Sequence, residues 1–219
     1  MEDRPKLERT WLCSVVFGDI AEYSEQSVAL QMIWKERFNR YLSEAIADVP
    51  ESERVILDTG DGAAICFLGD PETAMLCACK LVSSLVQSEP QHAVRMRARF
   101  GVNLGPVKLV KDINGNLNAL GDAINVGQRI MSFAKDNQIL ASRSFFEVVS
   151  RLSESNSHLF RFEGVRKDKH VREHIVYELR LPSSVSQGAP EGAPAERESV
   201  PAERPAEPPP AAGVTVEPA

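Results

Sequence analysis

Two aspartates stand where carboxylates could share a divalent cation. Asp19 follows an apolar run that predicts a buried strand over 11–17, and Asp61 lies in a predicted hairpin tip, Asp58-Thr59-Gly60-Asp61-Gly62. Hard cations such as Mg²⁺ and Mn²⁺ prefer oxygen ligands and often take some of them from phosphates. Such a pair could support phosphoryl chemistry. The alternative is that each aspartate only caps a turn or a helix, and spacing alone favours this alternative.

The stretch after the first predicted strand could bind a triphosphate. Gly18 permits a close approach of the backbone, and Ala21-Glu22-Tyr23 lie before a predicted helix. N–H groups at a helix start are without intrahelical partners and bind anions.

A second candidate group lies on a predicted helix over 122–134. Asn125 and Arg129 are four residues apart and therefore share one helix face. Arginine offers a rigid fork of N–H donors to phosphate, and asparagine can hold a ribose oxygen. Taken singly, a solvent-facing pair is the simpler interpretation.

The elements that must position these residues follow the order β-α-β-β-α-β, with additions at the C-terminal side. This is an α+β, ferredoxin-like plan, in which the first strand lies centrally beside the following strand pair. Asp19 and Asp61 would then converge at one edge of the sheet.

A turn is predicted at Gly105-Pro106 and a loop over 112–118. Strands are predicted over 11–17, 54–57, 63–68, 94–103, 107–111, 138–141, 160–165 and 175–179, and helices over 27–47, 71–87, 122–134 and 142–151.

Composition indicates one globular domain with an appendage. The chain has 219 residues, 43% hydrophobic and 26% charged, and a net charge of -6 that argues against a protein coating nucleic acid or anionic membrane. No apolar run approaches the roughly 20 residues that cross a bilayer, and the charged N-terminus is unlike a signal peptide. We therefore predict a cytoplasmic protein with neither nucleic-acid nor membrane partners.

The domain boundaries follow from a change in composition. Residues 182–219 hold nine of the 14 prolines and no aromatic residue, which predicts a disordered tail. We predict an N-terminal extension over 1–10, one globular domain over 11–181 and the tail over 182–219.

Cysteines and histidines show no metal-ligand or disulfide spacing, so buried thiols and surface histidines are the simpler interpretation. The cysteines are Cys13, Cys66, Cys77 and Cys79, and the histidines are His92, His158, His170 and His174.

Other charged residues near these motifs have ordinary interpretations. Arg95, Arg97 and Arg99 alternate on one predicted strand and could form a phosphate or dimer-face stripe, but a solvated strand face is simpler. Asp58 is interpreted as a turn residue and Asp122 as a helix-start residue rather than as metal ligands.

Four segments, taken in order, resemble the catalytic domain of class III nucleotidyl cyclases. No single segment is specific, but the ordered set is, and the resemblance covers about residues 11–181. It implies a ferredoxin-like fold and an enzyme that makes a 3′,5′-cyclic nucleotide and pyrophosphate from a nucleoside triphosphate. The segments are Phe17-Gly18-Asp19-Ile20, Gly60-Asp61-Gly62, Gly101-Val102-Asn103-Leu104-Gly105-Pro106-Val107, and Gly121 with Asn125 and Arg129.

The resemblance also implies cofactors and roles. Asp19, Asp61 and the backbone carbonyl of Ile20 would hold two divalent metal ions, Mn²⁺ or Mg²⁺. Asn125 would orient the ribose and Arg129 would stabilise charge on the α-phosphoryl group. Lys169 would contact the phosphates, with Lys167 as the alternative. Substrate-binding positions would be Phe17, Gly18, Ile20, Ala21, Glu22, Tyr23, Leu57 and Asn118.

In class III cyclases the aspartates and the Asn/Arg helix come from two domains arranged head to tail. This chain contains one such domain, so the resemblance implies a homodimer with two shared sites.

Two positions that select a purine base in this family depart from its pattern. Leu57 stands where a lysine or glutamate is usual, and Asn118 where aspartate, threonine or cysteine is usual. The chain is most similar to small bacterial cyclases that make cyclic pyrimidine nucleotides in antiphage defence. We therefore predict conversion of UTP to 3′,5′-cyclic UMP, which a downstream effector would bind. Cytidylate cyclase, adenylate or guanylate cyclase, and an inactive dimerisation module remain as alternatives.

Overall fold

The structure, a computed structural model, describes residues 9–181, which form an eight-stranded sheet with helices on both faces. The predicted tail over 182–219 and residues 1–8 of the predicted extension lie outside the described residues. The strands are β1 (Thr10–Ile20), β2 (Arg54–Asp58), β3 (Gly62–Phe67), β4 (Ala98–Lys111), β5 (Leu117–Leu120), β6 (Ile139–Ser142), β7 (Phe160–Lys167) and β8 (Glu173–Leu179). The helices are α1 (Val28–Ala45), α2 (Pro71–Ser88), α3 (Asp122–Ser132), α4 (Arg143–Leu152) and α5 (Glu154–Ser157), with 3₁₀ turns at Tyr23–Glu25, Glu51–Glu53 and Glu89–Gln91.

Strand β1 lies inside the sheet, whose order is β2-β3-β1-β4-β6-β8-β7, with β5 paired to β4. It pairs antiparallel with β3, where Asp19 lies opposite Gly62, and with β4, where Asp19 lies opposite Arg99. The segment from β1 to β4 has the βαββαβ order that the sequence predicts. The α+β, ferredoxin-like fold with C-terminal additions is therefore confirmed.

Side-chain caps fix where the first two long helices begin. The Ser27 side chain accepts a hydrogen bond from the Leu30 N–H at the start of α1, and Asp70 accepts one from Glu72 at the start of α2. Pro71 occupies the first turn of α2, where a missing N–H costs nothing. Helices α1, α2 and α4 contribute to the main core on one face of the sheet, around Phe38, Tyr41, Phe67, Phe100 and Phe145.

Helix α3 packs on the opposite face and touches the sheet backbone directly. A Cβ atom at Gly101 would lie 2.4 Å from the Met131 nitrogen and 2.6 Å from the Gly127 carbonyl oxygen. Only a residue without a side chain permits this approach, so Gly101 sets the height of α3 above β4. A smaller core, which includes Ala123 and Met131, lies beneath the helix.

The sequence predictions for β1, β4 and β5 are wrong in part. Strand β4 continues through the predicted turn at Gly105-Pro106, because Pro106 lies between the part of β4 paired with β6 and the part paired with β5. A residue without an N–H is tolerated where a neighbouring strand is missing. Strand β1 runs on to Ile20, so Asp19 lies inside it rather than after it. The predicted loop over 112–118 is shorter, because Leu117–Leu120 forms β5.

All four cysteines are buried free thiols. Of the helices that the structure describes, none is both long and apolar enough to cross a membrane.

Candidate active site

Asp19 and Asp61 are neighbours at one end of β1. The Ile20 N–H donates to the Asp61 carbonyl oxygen at 3.0 Å. Asp19 lies opposite Gly62, the residue that follows Asp61 in the sequence. A Cβ atom at Gly62 would lie 2.0 Å from the Gly18 carbonyl oxygen, so glycine permits this close crossing of β1 and the turn.

The pKa of the Asp19 carboxyl is raised above its usual value, as expected where a carboxyl is partly buried and a second carboxylate lies close by. Burial raises its pKa and the Asp61 carboxylate raises it further, while Arg99 opposes both. Arg99 donates from Nη2 to Asp19 Oδ2 at 2.5 Å, and its Nε is buried without a partner among residues 9–181. Arg99 therefore belongs to this site, and the interpretation of a solvated arginine stripe is wrong for it.

The prediction that Arg95, Arg97 and Arg99 lie on one strand is also wrong, because Arg95 and Arg97 precede β4. Arg97 forms ion pairs at 2.6 Å with both Glu22 and Asp136. The guanidinium therefore joins three separate segments beside the aspartates.

The donor set fits hard divalent cations. Two adjacent carboxylates, one of them with a pKa raised by burial and by the other, gain stability from a bound positive ion. Within residues 9–181 no group of three acidic, histidine or cysteine side chains could hold a metal alone. Asp19 and Asp61 would therefore need further oxygen ligands, which phosphates can supply.

The turn after β1 lines a cavity of about 400 Å³ together with both aspartates and Arg99. Glu22 is in the left-handed region at φ 57°, and Tyr23–Glu25 forms a 3₁₀ turn, so the N–H groups here do not belong to α1. The Ala21 N–H donates to the Arg97 carbonyl at 2.8 Å and is not free for an anion.

The other predicted substrate-binding positions in this region belong to β1 itself. Phe17 and Ile20 are buried, and Gly18 packs against Phe100. These residues therefore shape the end of the strand that carries Asp19.

Asn125 and Arg129 line a different cavity, of about 490 Å³, on the exposed side of α3. The opposite wall comes from the end of β7 and the loop between β7 and β8, which carry Lys167 and Lys169. Lys167 pairs with Glu173 at 3.2 Å, whereas Lys169 has no ion pair within the described part of the chain. Both lysine candidates therefore reach the same cavity as the Asn/Arg pair.

Sequence reasoning missed Asp168 and His174, which lie beside Arg129. Arg129 Nη1 donates to Asp168 Oδ2, and the same oxygen contacts His174 Nε2 at 3.1 Å. Burial raises the pKa of Asp168, but hydrogen bonds from His174, Arg129 and two backbone N–H groups hold that pKa well below its usual range. The interpretation of His174 as a surface residue is wrong, because its ring is buried against this carboxylate.

Leu57 and Asn118 lie on β2 and β5, which contact each other across the sheet face. Leu57 packs against the smaller core that includes Ala119, and the Asn118 side-chain oxygen accepts from the Ala119 N–H at 2.7 Å. The structure thus places an apolar and an amide residue on two strands that contact each other without pairing.

Two acidic residues interpreted from the sequence as structural, Asp58 and Asp122, make turn and helix-start contacts. Asp58 accepts from the Gly60 N–H at 2.7 Å and pairs with Lys35 at 2.9 Å; burial raises its pKa, but these two partners lower it overall. Asp122 begins α3 and pairs with Arg172 at 3.1 Å.

The two candidate groups occupy separate cavities in one chain. Arg129 contacts the loop that leads into β8, whereas Asp19 and Asp61 lie at β1 and β3. The cavities share no lining residue.

Solved structures with a similar fold are adenylate and guanylate cyclases. The catalytic core of a rhodopsin-guanylyl cyclase with converted specificity, in complex with ATPalphaS, has a TM-score of 0.66 at 17% identity, over 81% of this chain and all of that one. The adenylate/guanylate cyclase/hydrolase from Silicibacter pomeroyi has a TM-score of 0.64 at 23% identity, over 80% and 99%. The adenylyl cyclase CyaB from P. aeruginosa has a TM-score of 0.59 at 18% identity, over 78% and 94%.

No known protein family is matched by the sequence, and no curated protein is matched either. The comparison shows the fold: residues 9–181 have a fold like that of solved adenylate and guanylate cyclase domains.

Proposed function

We propose that this protein is a nucleotidyl cyclase that converts a nucleoside triphosphate into a 3′,5′-cyclic nucleotide and pyrophosphate. The observation that carries the proposal is the adjacency of Asp19 and Asp61 at the end of β1, on a fold shared with solved cyclases. The second cavity, with Asn125, Arg129 and two lysines, adds groups that suit a ribose and a triphosphate.

Each residue has a task that its chemistry allows. Asp19 and Asp61, with the Ile20 carbonyl, would hold two divalent ions, Mn²⁺ or Mg²⁺, which supply Lewis-acid polarisation and charge neutralisation. Asn125 would hold the ribose so that its 3′-hydroxyl faces the α-phosphorus. Arg129 would donate to the α-phosphoryl oxygens, where negative charge grows in the transition state.

We propose further that a working site needs two copies of the chain. One copy contributes the aspartates and its partner contributes the α3 side chains, in a head-to-tail homodimer with two equivalent sites. The two cavities within one chain support this arrangement, because the aspartates line one of them, the α3 side chains line the other, and no residue lines both.

For the base, we propose UTP as the substrate and 3′,5′-cyclic UMP as the product. Leu57 is apolar and cannot hydrogen-bond a purine edge, whereas the Asn118 amide can both donate and accept, as a uracil edge requires. Phe17, Gly18, Ile20, Ala21, Glu22 and Tyr23 would complete the substrate site around the phosphates, with the Ala21 N–H already engaged. A cytoplasmic enzyme that signals phage infection through an effector that binds the cyclic nucleotide is the biological setting we propose.

The test is a panel of purified protein with each of the four ribonucleoside triphosphates and Mn²⁺. We expect cyclic UMP and pyrophosphate from UTP, no product from Asp61→Ala, and full activity in Asp48→Ala, which removes an exposed carboxylate that pairs with Lys80 and lines neither cavity. Conversion of only ATP or GTP would contradict the pyrimidine assignment and leave the cyclase assignment intact. A folded protein that converts none of the four would contradict both and favour an inactive dimerisation module.

A further inference from the structure

The loop between β7 and β8 is built around Asp168. Its Oδ1 accepts from the backbone N–H groups of His170 at 2.8 Å and Arg172 at 3.0 Å, and its own N–H donates to the Arg172 carbonyl at 3.1 Å. Val171 is in the left-handed region at φ 63°, a conformation that a β-branched residue adopts only when its surroundings impose it. The loop is therefore held in one conformation.

The second oxygen of the same carboxylate faces α3. Asp168 Oδ2 contacts Arg129 Nη1 and His174 Nε2, and because an ionised carboxylate only accepts, Nε2 must carry a proton. The side chains of Asp168 and His174 are only 4% and 6% exposed, so this contact is shielded from water.

A second ion pair joins the loop to α3 at the N-terminal end of the helix. Arg172 in the loop pairs with Asp122 at the first residue of α3, and this pair is exposed. Helix α3 and the loop are thus joined at two points, and the Asp168–Arg129 pair is the less exposed of the two.

We propose that Asp168 is a positioning residue that orients Arg129 toward the substrate phosphates and fixes the segment carrying Lys167 and Lys169 against α3. This inference rests on the proposed cyclase function and adds a residue to that site.

The geometry favours a role in which Asp168 orients Arg129 over one in which Asp168 prevents Arg129 from binding a phosphate. A guanidinium has five N–H donors, and only Nη1 of Arg129 is engaged within residues 9–181. The Arg129 side chain is still 29% exposed, and it lines the cavity. Asp168 therefore leaves donors available for a phosphoryl group while it restricts the rotamers of a long side chain.

The test compares Asp168→Asn with Asp112→Asn. The amide oxygen introduced by Asp168→Asn can still accept the two loop N–H groups, so the substitution removes the charge that holds Arg129 but keeps the loop. Asp112 makes the same kind of loop contact in the β4–β5 turn, accepting from Asn114 and Asn116 at 2.8 Å each, with no cation partner among its contacts in residues 9–181. We expect Asp168→Asn to lower kcat about 10- to 100-fold with KM for the nucleotide changed less than about threefold, and Asp112→Asn to leave both within about twofold.

A thermodynamic cycle of Asp168→Asn, Arg129→Gln and the double variant, measured by urea unfolding, completes the test. We expect non-additive losses of stability, as for any contacting pair. Asp168→Glu is a second variant that keeps the charge but moves it by one methylene, and its kcat should also fall. Unchanged or raised kcat in Asp168→Asn and Asp168→Glu, or strictly additive stabilities, would overturn the inference alone, whereas an inactive wild-type protein would remove the proposed function and the inference with it.

Discussion

Arg99 and Asp19 form an ion pair across β1 and β4, with Nη2 2.5 Å from Oδ2, at the end of the strand where the candidate metal ligands meet. The Arg99 and Asp19 side chains are 34% and 14% exposed, so the contact is only partly screened by solvent. A guanidinium thus already neutralises a carboxylate that a divalent cation would also bind. In the proposed metal site, the guanidinium and the cation would compete for the same oxygen.

Replacement of Arg99 by glutamine should strengthen binding of Mn²⁺ to the nucleotide-free protein. The loss of one competing positive charge is expected to raise affinity about fivefold, close to 1 kcal/mol. Calorimetric titration of the wild-type protein and the variant measures this directly. Arg95→Gln is the matched control, because Arg95 is exposed and lies outside β4. Equal or weaker Mn²⁺ binding in Arg99→Gln would show that the guanidinium does not compete with the cation.

Asn118→Ala should lower kcat/KM for UTP about tenfold while the melting temperature stays near that of the wild type. The expected loss corresponds to one hydrogen bond to the base, of about 1.4 kcal/mol. The control is Asn114→Ala, which removes an exposed amide from the turn before β5. If both variants retain the wild-type kcat/KM, Asn118 does not read the base.

Glu89→Gln should destabilise the fold without direct damage to the site. The Glu89 carboxylate accepts hydrogen bonds from Arg37 at 3.0 Å, Tyr41 at 3.0 Å and the Met96 N–H at 2.6 Å, and it is only 4% exposed. Loss of its charge leaves the buried Arg37 without a counter-ion, which costs about 3 kcal/mol of unfolding free energy.

Urea unfolding measures the effect of Glu89→Gln. Asp48→Asn serves as its control, because the Asp48–Lys80 pair is exposed and should contribute less than about 1 kcal/mol. Equal stabilities for the two variants would mean that the buried network contributes little.

The thiols of Cys77 and Cys79 should react very slowly with disulfide reagents at pH 8. Burial raises the pKa of Cys77 to about 11 and that of Cys79 to about 12. Only about one thiol in a thousand, or fewer, is then the reactive thiolate at pH 8, and the fraction grows as pH rises toward these values. Reagent consumption before and after unfolding gives the measurement, and rapid modification of either thiol in the folded protein would contradict the burial of α2.

Local patterns in the sequence were sufficient for most of the fold. The apolar run in β1 and the glycine-rich hairpin tip before β3 each specify structure within a few residues, so these elements were predicted. The predicted turn at Gly105-Pro106 was wrong, because a strand tolerates a proline only where no neighbouring strand needs its N–H. No local pattern carries that information.

The candidate site was predictable only in part for a related reason. The resemblance supplied Asp19, Asp61, Asn125 and Arg129, but not the ion pairs that surround them. Arg99 contacts Asp19 from 80 positions away, and Asp168 contacts Arg129 from 39. An alternating row of arginines could have suggested Arg99, whereas nothing in the sequence around Asp168 indicates a partner on α3.

The most direct measurement of the central claim is complementation between two inactive variants. Asp61→Ala and Arg129→Ala damage opposite halves of the proposed shared site, so each variant alone should show no turnover of UTP. Random mixing of the two should make about half of all dimers mixed, each with one intact site, and restore about a quarter of wild-type activity. A mixture as inactive as its components, under conditions where subunits exchange, would contradict a site assembled from two copies of the chain.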